Sequence, residues 1–173
     1  IGTSNSIELK NDIQQIIDEF RIETISTSPG RIETDLLNAL NKKIVQSFNF
    51  TDVKDRLEKV DSRIDELFWN SVKGNLATVE DIKSWTDIVF NEGKIEVEDK
   101  EFITQALSVI PAEPWDENTW NTWTNEIKEL TGRKGKELFL PLREAFTGMK
   151  HGPEMKQLIQ LLGREKILNR VNV

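Results

Sequence analysis

The chain has 173 residues, with 30 acidic against 23 basic side chains and a formal net charge of −7. This length fits one domain or two small ones with a sizeable apolar core. The absence of cysteine excludes disulfides, thiolate catalysis and cysteine-based metal centres, and a single histidine excludes a histidine-rich metal site. No apolar stretch approaches the roughly 18 residues of a membrane span, so we expect no membrane partner.

Apolar residues recur at helical spacing along nearly the whole chain. The stripes fall on residues 9–20, 36–45, 53–60, 64–72, 82–89, 97–110, 120–130, 138–146 and 158–162. Four tryptophans, Trp69, Trp85, Trp120 and Trp123, lie in these stripes beside aliphatic residues, which favours core packing over stacking on a base. No stretch alternates apolar and polar residues for long enough to predict a strand, so the chain is predicted to be all-α.

Glycine, proline and capping residues predict where the helices begin and end. Thr78 with Asp81 resembles a capping box, and Gly74 and Gly132 are predicted to end helices in the left-handed conformation. The clearest boundary is 111–114, because its two prolines hold the backbone extended and prevent helix continuation. A softer boundary is the Ser-Pro-Gly loop at 28–30.

Charge is divided unevenly along the chain. Residues 131–173 carry nine Lys or Arg against four Glu, a net charge of +5, and the preceding 130 residues carry −12. This asymmetry favours a polyanionic partner for the last quarter, and RNA is the obvious candidate. An uneven scatter of solvated surface lysines explains the same numbers equally well.

The segment 131–155 contains the most unusual features. Pro141 lies in an otherwise helical pattern, so it either begins a helix or kinks one and frees the carbonyl group of Glu137. Pro153 is predicted to occupy the first position of the next helix. The N–H groups of the following residues, Glu154 and Met155 among them, would then be free to meet an anion or a base edge.

Several segments resemble bacterial glutamyl-tRNA synthetases, most closely the alphaproteobacterial type. They are IGTS (1–4), SPGRIETDLLNALNKKIV (28–45), FWNSVKGNLA (68–77), PAEPWDENTWNTWT (111–124), TGRKGKELFLPLREAFTGMKHGPEM (131–155) and LLGRE (161–165). The resemblance covers essentially the whole chain. It implies a class I aminoacyl-tRNA synthetase that joins glutamate to its tRNA with ATP, and an all-helical region that reads the anticodon.

The family's ATP-binding signatures, HIGH and KMSKS, are absent from this sequence. The resemblance therefore implies a non-catalytic fragment that begins just past the KMSKS region, while ATP with magnesium belongs to the missing catalytic domain. It divides the chain into the remainder of a stem-contact region (1–48) and two anticodon-binding helical subdomains (49–110 and 111–173). The implied partner is tRNA(Glu), with tRNA(Gln) left open, and we expect a cytoplasmic monomer that binds no DNA.

By the same resemblance, the segments 140–143 and 152–155 line the pocket for the first two anticodon bases. Arg143 is the residue expected to hydrogen-bond or stack on a base, and Leu140, Pro153 and Met155 are expected to form apolar walls. The alternative for Arg143 is a surface ion pair with a neighbouring carboxylate such as Glu144 or Glu154.

The resemblance assigns the remaining candidates less specific roles. Asn75 stands where discriminating members of the family carry an arginine that helps to reject glutamine tRNA. The cations Arg133, Lys134, Lys136 and Lys150 are expected to contact phosphates, which position the RNA without reading its sequence. A helical protein-interaction module descended from such a domain remains the alternative function, and a self-contained enzyme is disfavoured because the chain lacks a phosphate-binding loop.

Overall fold

The computed structural model describes residues 9–10, 12–27 and 34–172, and the predicted loop at 28–30 lies outside these ranges. The described α-helices are α1 (Ile13–Glu19), α2 (Thr34–Ser47), α3 (Phe50–Val60), α4 (Glu66–Val72), α5 (Ile82–Phe90), α6 (Lys100–Ser108), α7 (Thr119–Thr131), α8 (Lys136–Thr147), α9 (Met155–Leu162) and α10 (Arg164–Arg170). Short 3-10 turns occupy Ile22–Thr24, Lys73–Asn75 and Val79–Asp81. The all-α prediction is confirmed.

The buried side chains of the described residues form one hydrophobic cluster that extends from Val45 in α2 to Val171. Helices α4 and α5, from the segment 49–110, pack against α9 of the segment 111–173. The predicted division between these segments falls in the proline-containing link between α6 and α7. The shared core means that helices on both sides of this link position the surface described below.

Trp123 of α7 links three helices of this core. It is fully buried, and its indole Nε1 donates a hydrogen bond of 2.9 Å to the carbonyl oxygen of Ala106 in α6. Its ring stacks on Phe146 of α8 at a centroid distance of 5.3 Å and meets the edge of Trp120 at 6.1 Å. Trp69 and Trp85 are at most 7% exposed, so the prediction that these four tryptophans belong to the core is confirmed.

The described residues include two short strands that the sequence did not predict. Strand β1 (Ile95–Glu96) pairs in parallel with β2 (Val171–Asn172). The adjacent Arg170 is only 3% exposed, and its guanidinium donates to the carbonyl oxygens of Phe146 at 3.0 Å and Asn91 at 2.6 Å. Two residues are too few to produce an alternating pattern, which is why periodicity did not reveal the strands.

Two of the predicted helix boundaries, at Thr78 and Gly132, agree with the structure, and the one at Gly74 differs. The capping box of Thr78 and Asp81 is present, and Gly132 ends α7 with a left-handed φ of 71°. The prediction for Gly74 is wrong, because its φ is not positive and the chain continues through it as a 3-10 turn. The side-chain amide of Gln46 donates a 2.8 Å hydrogen bond to the Gly74 carbonyl and holds this turn against α2.

The capping carboxylate of Asp81 leads to a prediction about acid stability. It accepts hydrogen bonds from the N–H groups of Thr78 at 2.8 Å and Ala77 at 3.0 Å, and the bond from Thr78 is the main reason why the pKa of Asp81 lies below its usual value. A lowered pKa in the folded state contributes stability above the unfolded-state pKa, which is lost as the pH falls through the folded-state pKa. Asp81→Asn should therefore lose less stability than the wild type between pH 7 and pH 3.

Urea unfolding at the two pH values measures this difference. The matched control is Asp55→Asn on the exposed side of α3, which should leave the wild-type pH dependence in place. A pH dependence that is the same in Asp81→Asn and in the wild type would contradict the role of the cap.

The apolar stripe that predicted α1 does not face the core. Ile13, Ile16, Ile17 and Phe20 are 53–73% exposed, and no residue of α1 is buried. A seven-residue helix is marginal by itself, since nucleation costs more than so few hydrogen bonds return. In the described ranges no helix is both long and apolar enough to cross a membrane.

Candidate nucleic-acid interface

Helix α8 carries the centre of the predicted site. It begins after Gly135, whose φ of 52° suits glycine, and Pro141 lies within it. Pro141 therefore does not begin a helix, and because proline has no N–H, the carbonyl of Glu137 lacks its usual helical donor. Leu140 and Pro141 line an open cleft of about 730 Å³ together with the charged side chains of Arg133, Lys136 and Glu137. We call this the Leu140 cleft.

Arg143 lies one turn further along α8 and is partly buried. Its Nη2 donates a 2.8 Å hydrogen bond to the carbonyl oxygen of Pro153, whereas its Nη1 is buried without a hydrogen-bond partner among the described residues. Burial lowers the pKa of Arg143 from its usual value. Within the described part of the chain, the ion pairs of Glu144 and Glu154 are made with lysines at 3.4 and 3.3 Å, and neither is made with Arg143.

A second cleft, which we call the Arg143 cleft, has a volume of about 330 Å³. Its lining residues are Trp120, Asn121, Phe139, Arg143, Glu154, Met155 and Lys156. The structure therefore brings the predicted site residues Arg143 and Met155 together in one cleft and places Leu140 on the other. Pro153 is buried and meets Arg143 through its main-chain carbonyl group.

The loop between α8 and α9 shapes one side of the Arg143 cleft. Gly148 ends α8 in the left-handed conformation. The prediction that Pro153 begins the next helix is wrong, because Glu154 is extended and α9 starts at Met155. The first intrahelical hydrogen bonds of α9 are donated by Gln157 and Leu158 to the Glu154 carbonyl, so the earlier N–H groups have no helical acceptor.

The four predicted phosphate contacts differ in how free their charges are. The Arg133 guanidinium is 2.6 Å from a carboxylate oxygen of Asp99 and stacks 4.1 Å above the ring of Phe102. The hydrogen bond from Arg133 holds the pKa of Asp99 below its usual value. Lys150 has a side chain that is 68% exposed and contacts Glu144, while Lys134 and Lys136 are exposed.

Asn75 lies apart from α8 in sequence, at the end of the 3-10 turn between α4 and α5. Its side chain is exposed, and the next residue, Leu76, is fully buried. The buried side chain of Leu76 holds the turn against the core, while the Asn75 amide faces solvent. Among the described residues, no group of three His, Asp or Glu side chains is placed to hold a metal ion.

Sequence reasoning missed the aromatic side of the Arg143 cleft. Phe139 is 39% exposed and lies 6.3 Å from Trp120 between ring centroids, with the ammonium of Lys128 at 5.7 Å from its ring. The signal was available, because Phe139 falls one residue after Leu138 and outside the buried stripe that Leu138 and Leu142 define. An aromatic residue outside the core stripe of its helix is a candidate for a contact surface, here supported by its place in the lining of the cleft.

The described residues form an all-α domain with two clefts, around which lie cations, an exposed aromatic ring and the N–H groups at the start of α9. A family model described as an anticodon binding domain matches residues 35–173. The chain belongs to the anticodon-binding domain family.

The curated relatives confirm the resemblance that the sequence motifs indicated. The chain is 41% identical to glutamate–tRNA ligase 2 of Hyphomonas neptunium and 37% identical to glutamate–tRNA ligase 1 of Bartonella quintana. The matches cover 99% and 100% of the chain, which spans 39% of the length of each relative.

Solved structures show the same fold. The crystal structure of a glutamate–tRNA synthetase from Elizabethkingia anophelis matches with a TM-score of 0.74 at 15% identity, over 91% of this chain and 34% of that one.

Proposed function

We propose that this chain is the anticodon-binding part of a glutamate–tRNA ligase, a cytoplasmic class I aminoacyl-tRNA synthetase that attaches glutamate to tRNA(Glu). In this proposal ATP and magnesium act in a catalytic domain outside the present sequence, and the chain itself contributes RNA recognition. The observation that carries the proposal is the Arg143 cleft, where a planar cation is held beside an exposed aromatic ring and an apolar wall.

The chemistry of this cleft suits an unstacked base. Proteins read single-stranded RNA loops by turning bases out, stacking them on flat side chains and hydrogen-bonding their edges. Arg143 supplies a guanidinium plane, Phe139 a ring, and Met155 an apolar surface in a space of about 330 Å³. The free N–H groups at the start of α9 add polar contacts. Leu140 would support a second base from the Leu140 cleft.

The third anticodon base is assigned to Asn75. Its exposed amide offers both a donor and an acceptor to a base edge, but it lacks the charged fork of an arginine. The proposal therefore keeps tRNA(Gln) as a second candidate substrate of the whole enzyme. Charging of both tRNAs by the longer protein would support this view of Asn75.

The exposed cations around α8 would hold the RNA backbone. Lys134, Lys136 and Lys150 carry charges that can reach phosphates at little cost, because they are exposed. Arg133 would contribute by exchanging its ion pair with Asp99 for a contact with a phosphate. Such contacts fix the position of the loop and leave base choice to the clefts.

A competition titration tests the proposal. The chain is mixed with labelled tRNA(Glu) and displaced with unlabelled tRNA(Glu) variants that carry one substituted anticodon base each, at several salt concentrations. We expect the unsubstituted anticodon to compete best. Binding that ignores the anticodon would contradict the proposal and favour a protein-interaction module. ATP–pyrophosphate exchange by this chain alone would contradict its non-catalytic assignment.

Lys150→Ala should weaken all these tRNAs by the same factor, because a phosphate contact carries no base information. It should also reduce the slope of log affinity against log salt by about 1. The matched control is Lys54→Ala, since Lys54 is a similarly exposed lysine with one weak ion pair, to Glu58 at 3.9 Å. The assignment is wrong if Lys150→Ala weakens only one anticodon variant, or if Lys54→Ala changes the slope as much.

A further inference from the structure

The loop that carries Pro153 rests on a tryptophan of α5. Gly152 has a φ of 148°, and a β-carbon added to it would lie 2.5 Å from Cη2 and 3.0 Å from Cζ3 of Trp85. The same β-carbon would lie 3.4 Å from Nη1 of Arg143. The edge of the indole ring and the guanidinium group therefore meet at the same face of Gly152, where no side chain fits.

This contact bears on the only described hydrogen bond of the Arg143 side chain. Nη2 is held by the Pro153 carbonyl, one residue after Gly152, while Nη1 is buried among protein atoms without a partner in the described ranges. An arginine side chain has many rotamers, and a single hydrogen bond is not enough to restrict it to one of them. The orientation of the guanidinium thus depends on where Trp85 holds the loop.

Trp85 does not itself line the Arg143 cleft. It is 7% exposed, belongs to the hydrophobic core, and is not among the residues around that cleft. The described contact through which Trp85 could influence a bound base is the one at Gly152, beside Arg143.

We propose that Trp85 is a positioning residue for anticodon recognition, which sets the orientation of Arg143 by supporting Gly152. This inference rests on the proposed function, since it specifies how the Arg143 cleft attains base specificity. A tryptophan that only fills the core would affect stability without affecting base choice. The two roles are therefore separated by the ratio of affinities for the unsubstituted and substituted anticodons.

The experiment compares Trp85→Phe with a matched core variant, Trp69→Phe. Trp69 is fully buried in α4, and its Nε1 donates to the Phe48 carbonyl at 3.2 Å. Affinities for an anticodon stem-loop and for versions with one substituted base are measured by fluorescence anisotropy, and the free energy of unfolding by urea. We expect Trp85→Phe to lower the affinity ratio by roughly three- to tenfold. Trp69→Phe should lose stability and keep the ratio.

Two further measurements strengthen the test. In the Arg143→Ala background, Trp85→Phe should cause no additional loss of discrimination, because the residue through which it acts is gone. Gly152→Ala presses on the same contact from the loop and should also lower the ratio. Adding Trp85→Phe to it should relieve part of this loss, since phenylalanine lacks the atoms that the new methyl group would meet.

A readout without RNA separates this inference from the proposed function. Relaxation of the Arg143 Nε–H group by ¹⁵N NMR should show greater mobility in Trp85→Phe than in the wild type or Trp69→Phe. Unchanged Arg143 mobility, or full base discrimination in Trp85→Phe, overturns the positioning role alone. Wild-type binding that ignores the anticodon overturns the proposed function and this role with it.

Discussion

Replacing Arg143 by alanine is expected to weaken binding of the cognate anticodon by about 1–3 kcal/mol and to blur the choice among bases. The substitution removes the planar cation from the Arg143 cleft and releases the Pro153 carbonyl from its hydrogen bond. The loss should be largest for the tRNA with the unsubstituted anticodon, so its affinity should approach the affinities of the substituted tRNAs. Competition binding against substituted tRNAs measures both effects.

Two controls test whether the effect of Arg143→Ala comes from the shape of the guanidinium group at this position, and not from the loss of a positive charge or of any exposed arginine. Arg143→Lys keeps the charge without the planar fork, so it should recover part of the affinity but little of the discrimination. Arg56→Ala removes an exposed arginine of α3 whose guanidinium lies 2.7 Å from the Glu80 carboxylate. This substitution should leave base choice intact. Unchanged base preference in Arg143→Ala would reject its proposed role.

Replacing Trp123 by alanine is expected to lower the free energy of unfolding by about 3–5 kcal/mol, the range for deleting a large aromatic side chain from a core. The substitution removes the stacking on Phe146 and leaves the Ala106 carbonyl without its indole donor. Because this ring joins α6, α7 and α8, loss of stability should be accompanied by weaker tRNA binding. Urea unfolding followed by circular dichroism measures the change.

Leu130→Ala is the matched control for this prediction. Leu130 lies on the same helix but is 52% exposed, so its truncation should change the free energy of unfolding by no more than about 0.5 kcal/mol. Trp123→Phe keeps an aromatic ring and loses the N–H donor, and should fall between the two. Similar losses in Trp123→Ala and Leu130→Ala would show that Trp123 is not central to the core.

The helices were predictable because their apolar stripes are long, and short-range chemistry identified the capping box at Thr78. What the sequence could not predict depends on contacts between distant residues or on single peptide units. The pairing of Arg133 with Asp99 joins residues 34 apart, and the extended conformation of Glu154 delays α9 by two positions after Pro153. The local sequence around Arg133 does not contain its partner, and the proline signal at Pro153 does not specify the conformation of the residue that follows it.

The site shows the same division. The resemblance indicated Arg143 and Met155, which line one cleft, but it grouped them with Leu140, which lines another. Residues 140 and 143 are one turn apart and are neighbours on the surface of α8. Which cleft each of them lines is therefore decided by the residues that pack around the helix. Phe139 falls outside the core stripe of α8, and its sequence position alone does not show that it lines the Arg143 cleft.

Arg170, Lys166 and strand β2 join the end of the described chain to its middle, through hydrogen bonds between residues 76–79 positions apart. Closing such a large loop costs entropy before any contact offsets it, and local helical contacts do not carry this cost. How the loss of these bonds divides between slower refolding and faster unfolding therefore reports whether the closure is part of the folding transition state.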